Sequence, residues 1–277
     1  MIPTPPAVLC FSSSDPTGGD GLQSDILVLA SMGCHPLTIP CALLASDTRG
    51  VEEVVVLEPE TVAVQARVIL EDIAVRAFRM GMVGSVENLA AVAEIIADYP
   101  ELPLVVEVAL PPGGTVGEDD CDDYLGALAE LVLPQATVTV VSDHDLPRLW
   151  QGDGEEDDDD RGREECIAHL LALGGDYVLV TGAGGGGAQQ VVNQLHGAQG
   201  LVRADAWEKL PGDHVGARST LAAAIAASLA NGMDVPTAVR EAQEYAWQAL
   251  AAGYRPGMGR MLPDRLFWAR DEGDADD

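Results

Sequence analysis

The stretch that decides the fold is "AVLCFSSSDPTGGDGLQSDILVLASMG", residues 7–33. It begins as a short apolar run of the kind buried in parallel sheets, passes through a glycine-rich turn and continues as a helical period. Gly18, Gly19 and Gly21 allow the backbone to approach a ligand closely, and Asp25 lies in the first turn of the helix. The turn is neither GxGxxG nor a P-loop. Taken alone, it is more typical of a tight turn with a helix N-cap than of a ligand site.

Short apolar runs and helical periods alternate along the rest of the chain. The predicted strands are 7–13, 102–110, 136–142 and 176–182, and the predicted helices are 21–32, 59–74, 86–98, 122–132, 163–173, 219–231 and 235–252. This βαβ alternation predicts a doubly wound sheet. Ligands of such sheets bind beyond the carboxyl ends of the strands, which is where the glycine-rich segments fall.

Length and cysteine usage limit the class of protein. The 277 residues predict one large α/β domain spanning 1–277. No apolar run is long enough to span a membrane, and "MIPTPPAVLC" does not resemble a secretory signal. The five cysteines are scattered without CxxC spacing, which favours a reduced, cytoplasmic protein without a zinc site.

The charge balance excludes two classes of partner. Against 45 acidic residues stand 15 basic ones, a formal net charge of −30, so the surface repels nucleic acid and anionic membranes. Because the acids are spread along the chain, they indicate adaptation to high salt rather than a site for basic partners. The charge run 152–165 predicts an acidic surface loop, with a metal site as the alternative, and 270–277 predicts an acidic tail.

A second glycine-rich turn precedes the most uniform helix of the chain, in "LPGDHVGARSTLAAAIAASLANG", residues 210–232. The first backbone N–H groups of a helix lack intrahelical partners and lie at its positive end, so this layout suits an anion. We expect the helix to open into a cleft that also contains Asp25. A third segment, "VTGAGGGGAQQ" (181–191), is either another glycine-rich exit from a strand or a flexible hairpin.

Together these segments resemble the hydroxymethylpyrimidine/phosphomethylpyrimidine kinases of thiamine biosynthesis, a branch of the ribokinase-like superfamily. "SDPTGGDGLQSD" is similar to the family's DPSGGAGxQAD opening, and 210–232 is similar to its HGTGCTLSAAIAA segment. Further similar segments are 33–51, 79–85, 133–149, 178–185 and 253–267. The resemblance implies a ribokinase-like three-layer α/β/α sandwich with a mostly parallel central sheet. It also implies phosphoryl transfer from MgATP to the hydroxymethyl group of the pyrimidine or to its monophosphate.

The resemblance also implies residue roles. Asp25 matches the aspartate that touches the pyrimidine, and Gly216 opens the anion hole for the transferring phosphoryl group. The implied catalytic segment is Gly216, Ala217, Arg218 and Ser219; the substrate site is Asp25, Gly19, Ser46, Gly81 and Met82; the nucleotide site is Thr181, Gly182 and Ser142; and the Mg²⁺ residue is Asp145.

The departures from the family pattern fall at the reacting centre. Ser219 stands at the position of the family's cysteine base and, unlike a thiol, has no titration near pH 7. Arg218 replaces a glycine, and its side chain has three options: to turn outward, to fill the anion site, or to offer a guanidinium to the transition state. Other replacements are Ser46 for glutamine, Ser142 for asparagine, Asp145 for glutamate and Glu107 for aspartate.

Two functions from different classes are compatible with these residues. The first is a pyrimidine kinase, slow or with an altered substrate. The second is a degenerate family member that binds a nucleotide or small metabolite as a sensor or partner without turnover. Asp213 and His214 are candidate replacement bases, with a surface role as the alternative for His214. The fold family also implies a possible homodimer.

Overall fold

One mixed sheet organises the computed structural model, which describes residues 4–110, 118–150, 162–184 and 189–270. Its strands are β1 (Ala7–Ser14), β2 (His35–Ser46), β3 (Val51–Val56), β4 (Val75–Met80), β5 (Leu104–Glu107), β6 (Val138–Ser142), β7 (Tyr177–Thr181), β8 (Gln190–Gly197) and β9 (Gly200–Glu208). Their order is β3-β2-β1-β4-β5-β6-β7-β8-β9. The six central strands pair in parallel, and β3, β8 and β9 add antiparallel edges. The predicted mostly parallel sheet is confirmed.

Helices cover both faces of the sheet. They are α1 (Gly21–Ser31), α2 (Pro59–Asp72), α3 (Val86–Ala97), α4 (Glu118–Ala127), α5 (Arg163–Ala172), α6 (Ala217–Ala230) and α7 (Val235–Ala251). Successive side chains of a strand point to opposite faces, so Leu9 and Phe11 pack in one apolar core and Val8 and Cys10 in the other. The first core packs against α2 to α5, and the second packs against α1, α6 and α7. The three-layer sandwich is therefore confirmed.

Several element bounds differ from the sequence prediction. The strand predicted over 102–110 is confined to β5, and the helix predicted over 122–132 is α4 followed by a π-helical turn, Leu128–Val132. The predicted strands do not include β2, β3, β4, β8 or β9. In β2, β3, β8 and β9 exposed or partly exposed residues interrupt the apolar pattern, and β4 is mostly buried but contains two arginines, so none of the five is a continuous apolar run. Strand β7 pairs antiparallel with β8, so the segment between them connects a hairpin, and its first residues also form the glycine-rich exit from β7.

Some predictions fall on residues outside the described ranges. These are most of the acidic loop 152–165, residues 271–277 of the tail and residues 185–188 of the glycine run. All five cysteines are buried. Among the described helices, none combines the length and apolarity that a membrane span requires. The single-domain extent over 1–277, the homodimer and the cytoplasmic location stay predictions.

Helix α6 places its first turn at the predicted site. From Ser219 to Leu229 every residue is buried, because small side chains let α6 pack closely between the sheet, α1 and α7. The helix begins at Ala217, two positions before the predicted start at 219. Its first turn lies at the carboxyl ends of the parallel strands, since Arg218 contacts residues at the ends of β5 and β6.

Candidate active site

The predicted site residues lie together at the carboxyl ends of the parallel strands, a side of the sheet that we call its carboxyl edge. Parallel strands present their carboxyl ends at the same edge, and ligands of open α/β sheets bind there. The residues that the strand ends bring to this edge are Ser46 after β2, Gly81 and Met82 after β4, Glu107 in β5, Ser142 and Asp145 after β6, and Thr181 and Gly182 after β7. The loop after β1 joins them, so sequence-distant predictions converge on one region.

Asp15 organises the loop between β1 and α1. Its carboxylate accepts hydrogen bonds from the Thr17 and Asp20 backbone N–H groups, both at 3.0 Å, and from the Thr17 hydroxyl at 2.8 Å. The Ser46 hydroxyl donates to the same carboxylate at 2.7 Å. Ser46 therefore joins the end of β2 to the glycine-rich loop, and its contact with substrate stays a prediction. No role for Asp15 was predicted from the sequence, although an Asp at the start of a turn commonly accepts from the backbone N–H two residues on, as Asp15 does in Asp-Pro-Thr-Gly-Gly.

The two glycine-rich turns touch through their backbones. Gly216 has φ 73°, and a Cβ placed on it would lie 1.8 Å from the Gly19 carbonyl oxygen. A Cβ on Gly19 would lie 2.7 Å from Val215 Cγ1. Glycine is therefore required at both positions, for the close approach as well as for the left-handed backbone at Gly216. The α6 turn therefore lies beside the turn that leads into α1, but the expected shared cleft is not observed, because Asp25 is fully buried and does not line the cavity described below.

Arg265 links the same two turns through buried hydrogen bonds. It is 2% exposed, and its guanidinium donates to the carbonyl oxygens of Gly18 at 2.9 Å and Gly19 at 2.6 Å. Its Nε donates to the Thr220 hydroxyl at 3.0 Å, and that hydroxyl donates to the Gly216 carbonyl at 2.7 Å. Burial lowers the pKa of Arg265. The sequence analysis did not single out Arg265, because a buried arginine has no local pattern that separates it from an exposed one.

The first turn of α6 offers free backbone donors. Gly216 is the N-cap and provides no side-chain acceptor, so the N–H groups of Ala217, Arg218 and Ser219 remain as the orphan donors of the helix. The Ser219 hydroxyl is fully buried and donates to Ser24 Oγ at 2.9 Å. The side chain at the family's base position thus points into the α1–α6 interface. Its catalytic role stays a prediction, and in this position the hydroxyl is not directed at the cleft.

A sealed ion cluster lies below the cleft. Arg79 is fully buried, with its Nη2 at 2.6 Å from Glu107 Oε2 and its Nε at 3.1 Å from Asp25 Oδ1. Burial raises the pKa of Asp25 to about 7; the Arg79 charge opposes this rise and the Glu107 charge adds to it. Burial also raises the pKa of Glu107. Two carboxylates share one guanidinium without solvent, so one of them holds a proton readily. Asp25 is fully enclosed here, and its predicted contact with the pyrimidine stays a prediction.

Arg218 continues this cluster toward the cavity. Its Nη1 donates to Asp145 Oδ2 at 2.5 Å, and its Nε lies 4.0 Å from Glu107 Oε1. Of the three options for this side chain, turning outward into solvent is therefore not the one taken. The guanidinium lies between the carboxylates at the ends of β5 and β6, where the resemblance places the metal-site residues.

The donor set around Asp145 does not fit a magnesium ion held by the protein. The carboxylate already accepts from the Ser142 hydroxyl at 2.7 Å and from Arg218, while Arg79 binds Glu107. These hydrogen bonds and the Arg218 charge outweigh burial and lower the pKa of Asp145. Across the described residues, no group of three or more His, Cys, Asp or Glu could hold a metal ion. Both hydrogen bonds fall on Asp145 Oδ2 and the Arg218 charge lies beside it, so Mg²⁺ bound directly by this carboxylate is not supported; a contact of Asp145 with Mg²⁺ through water stays a prediction.

A cavity of about 400 Å³ opens between β7–β9 and the helices α6 and α7. This volume is within the range of small-molecule and cofactor sites. Apolar residues dominate its wall, and Thr181 and Gly182 lie at one end with Ala217 and Arg218. Two of the three predicted nucleotide residues, Thr181 and Gly182, therefore share one cavity with the first turn of α6, whereas Ser142 does not line it. Its remaining lining residues include Trp207, Trp247, Leu221, Leu250, Lys209 and His214.

A buried polar network supports the cavity wall. The Gly182 N–H donates to Asn193 Oδ1 at 3.1 Å, and Asn193 Nδ2 donates to Gln243 Oε1 at 2.9 Å. The Trp207 indole N–H also donates to Gln243 Oε1, at 3.0 Å. The Trp207 ring stacks on Trp247 with centroids 6.4 Å apart. No role for this aromatic wall was predicted from the sequence.

The remaining predicted residues have mixed positions. A Cβ on Gly81 would lie 2.3 Å from Arg79 Nη1 and 2.5 Å from Ser12 Oγ, so Gly81 makes room for the buried guanidinium. Met82 is 6% exposed. Asp213 is exposed, whereas the candidate base His214 lines the cavity. Substrate contacts for Gly81 and Met82 stay predictions.

Comparisons with known proteins agree with this arrangement. A family model described as phosphomethylpyrimidine kinase matches residues 15–264. The hydroxymethylpyrimidine/phosphomethylpyrimidine kinase of Streptomyces coelicolor is 33% identical over 273 residues, which cover 97% of each chain. The structure of phosphomethylpyrimidine kinase from Clostridium difficile 630 matches with a TM-score of 0.67 and 25% identity, covering 86% of this chain and 98% of that one.

A more distant structure has the same fold. The pyridoxal kinase from Staphylococcus aureus in complex with AMP-PCP and pyridoxal matches with a TM-score of 0.79 and 22% identity, covering 96% of each chain. At this identity the likeness shows the fold alone. The family model spans most of the sequence, and the Streptomyces relative matches it nearly end to end. The chain belongs to the phosphomethylpyrimidine kinase family.

Proposed function

We propose that this protein transfers the γ-phosphoryl group of ATP to the hydroxymethyl group of hydroxymethylpyrimidine or to its monophosphate. The observation that carries the proposal is the shared cavity: the free N–H groups of α6 open beside a nucleotide-sized space that Thr181 and Gly182 also line. A helix N-terminus stabilises the negative charge of a transferring phosphoryl group. Phosphoryl transfer depends mainly on such positioning and charge stabilisation.

The chain's own residues have distinct tasks in this reaction. Gly216 and Gly19 bring the two turns together, and Arg265 fixes their carbonyls, so that the α6 amides keep one direction. The substrate oxygen attacks the γ-phosphorus, the bond from that phosphorus to the bridging oxygen breaks, and ADP leaves. ATP enters as its magnesium complex, so the metal belongs to the substrate.

We infer slow turnover from the position of Ser219. The attacking hydroxyl must lose a proton, and the family's base position here holds a buried hydroxyl bonded to Ser24. A serine hydroxyl is a weak base near neutral pH, so this step is expected to limit the rate. The relatives named above are kinases and give no support to the alternative of a sensor without turnover. The rate of the wild-type protein decides between the two.

The test is ATP-dependent phosphorylation of hydroxymethylpyrimidine in molar KCl, with the phosphorylated product detected by mass spectrometry. We expect the wild type to be slow and Ser219→Cys to raise kcat by about 10²-fold, the usual contribution of a positioned proton acceptor. Asp213→Asn and His214→Gln are assayed beside them. A fast wild type that loses activity in either of these variants would place the base before the turn instead.

The matched control is Ser228→Cys, because Ser228 is also a buried serine of α6 but lies far along the helix from its first turn. It tests for effects of a buried thiol in α6 that are unrelated to the reaction. We expect no change in rate. Failure of every variant to phosphorylate any pyrimidine, with nucleotide binding retained, would refute the proposed reaction.

A further inference from the structure

The cluster at the carboxyl edge is a row of alternating charges. Its order is Asp25, Arg79, Glu107, Arg218 and Asp145. Each arginine lies between two carboxylates, and Glu107 is shared by both. Arg218 is the member of this row that lines the cavity.

Arg218 has the attributes of a fixed cation beside the phosphoryl site. It is the second residue of α6, so its guanidinium and the free amides of the first turn belong to the same few residues. Its side chain is 34% exposed, whereas those of Asp145 and Glu107 are 18% and 6% exposed, so Arg218 is the most accessible of the three side chains. A guanidinium has five donors, and two carboxylates do not use all of them.

We propose that the Arg218 guanidinium occupies the place of a protein-bound divalent cation, so that this protein has no metal site of its own and presents a covalently attached positive charge to the nucleotide phosphates. The reason is electrostatic. A cation at this point is required to offset Glu107 and Asp145, and Arg218 already supplies it. Arginine also binds phosphate oxygens with a planar pair of donors, which suits a second contact toward the cavity.

Removing the guanidinium should therefore create a metal site. Without Arg218, Glu107 and Asp145 lose their shared cation, and one or two carboxylates together with phosphates are the usual ligands of protein-associated Mg²⁺. The metal-binding half of the inference needs no turnover. Only the contact with phosphate rests on the proposed function.

The experiment is a Mn²⁺ titration followed by electron paramagnetic resonance, in high KCl, without and with ADP. Circular dichroism first establishes that each variant is folded. We expect Arg218→Ala to bind one Mn²⁺ about tenfold more tightly than the wild type, because one positive charge next to two carboxylates is removed. Arg218→Lys keeps the charge and should bind Mn²⁺ as weakly as the wild type. Arg218→Ala with Asp145→Asn should lose the new site.

Arg67→Ala is the matched control. Arg67 also lies between two carboxylates, at 3.0 Å from Glu94 and 4.0 Å from Asp98, but on the exposed faces of α2 and α3. We expect no new Mn²⁺ site there, because exposed carboxylates keep their hydration. One tight Mn²⁺ on the wild type, or no gain in Arg218→Ala, would overturn the inference. If the kinase assay fails while this titration behaves as expected, the proposed reaction is wrong and the replacement of the metal still holds.

Discussion

The two arginines that share Glu107 differ in their access to water. Arg79 is fully buried between Asp25 and Glu107, whereas the Arg218 side chain is 34% exposed and lines the cavity. We call the contacts of Arg79 with Asp25 and Glu107 the inner pair, and the contacts of Arg218 with Glu107 and Asp145 the outer pair. Both consist of a guanidinium and its carboxylate partners. Burial makes the inner pair necessary for the fold, because a buried charge without a partner is costly. Because Arg218 is partly exposed, its guanidinium can release a carboxylate and bind a ligand in its place.

This difference separates the role of Arg79 in the fold from the role of Arg218 in the cavity. The Arg79 guanidinium fills the space that Gly81 leaves empty. Arg218 stands where the resemblance places a glycine, and its side chain lines the cavity. Arg79 therefore contributes to packing, whereas Arg218 affects what the cavity can bind.

The largest expected effect comes from breaking the inner pair. Arg79→Met should lower the free energy of unfolding by about 3–5 kcal/mol, because Asp25 and Glu107 then lie buried without a cation. Urea denaturation in high KCl measures it. Arg148→Met is the control, since Arg148 is partly exposed and its pair with Asp122 is 3.7 Å long; we expect a change within about 0.5 kcal/mol. Equal losses in the two variants would contradict the distinction between enclosed and open pairs.

The second effect is a pH dependence that belongs to Asp25. Its pKa of about 7 in the folded protein exceeds its ordinary value of 3.8, so the folded state binds the proton more tightly than the unfolded state. The stabilisation by this group is complete below the unfolded pKa and is lost as the pH rises through about 7. The free energy of unfolding should fall by about 2 kcal/mol between about pH 5 and pH 7.5, relative to Asp25→Asn.

Denaturation of both proteins across that pH range is the measurement. The difference between them isolates Asp25 from the many surface carboxylates, which titrate similarly in both. A difference that stays flat, or that grows with rising pH, would show that Arg79 keeps Asp25 ionised throughout. In that case Arg79 would form salt bridges with Asp25 and Glu107 while both carboxylates are ionised.

Part of the sheet was predictable from the sequence, because strands buried on both faces are often continuous apolar runs. The runs 136–142 and 176–182 correspond directly to β6 and β7. The same criterion misses β2, β3, β8 and β9, which contain exposed or partly exposed residues, and the central strand β4, which contains two arginines. A buried arginine such as Arg79 therefore interrupts the apolar pattern as much as an exposed face does.

The site was predictable only as a set of segments. The resemblance identified the turns that meet, including the one at Gly216, because their glycines are sequence-local requirements of backbone approach. The destination of Arg218 remained open among three options, since it depends on carboxylates more than seventy positions away. Arg265 was missed for the same reason: its partners at Gly18 and Gly19 lie at the opposite end of the chain.

The smallest expected effect is the stability contribution of the outer pair. Arg218→Gly should change the free energy of unfolding by less than about 1 kcal/mol, because a partly exposed ion pair gains little and a cation in the first turn of a helix opposes the helix dipole. The loss should shrink further as KCl is raised, since salt screens exposed pairs more than buried ones. The Arg79→Met loss should keep its size in the same titration. Two losses with the same salt dependence would mean that water reaches both arginines alike, and the assignment of separate structural and binding roles on the two sides of Glu107 would fail.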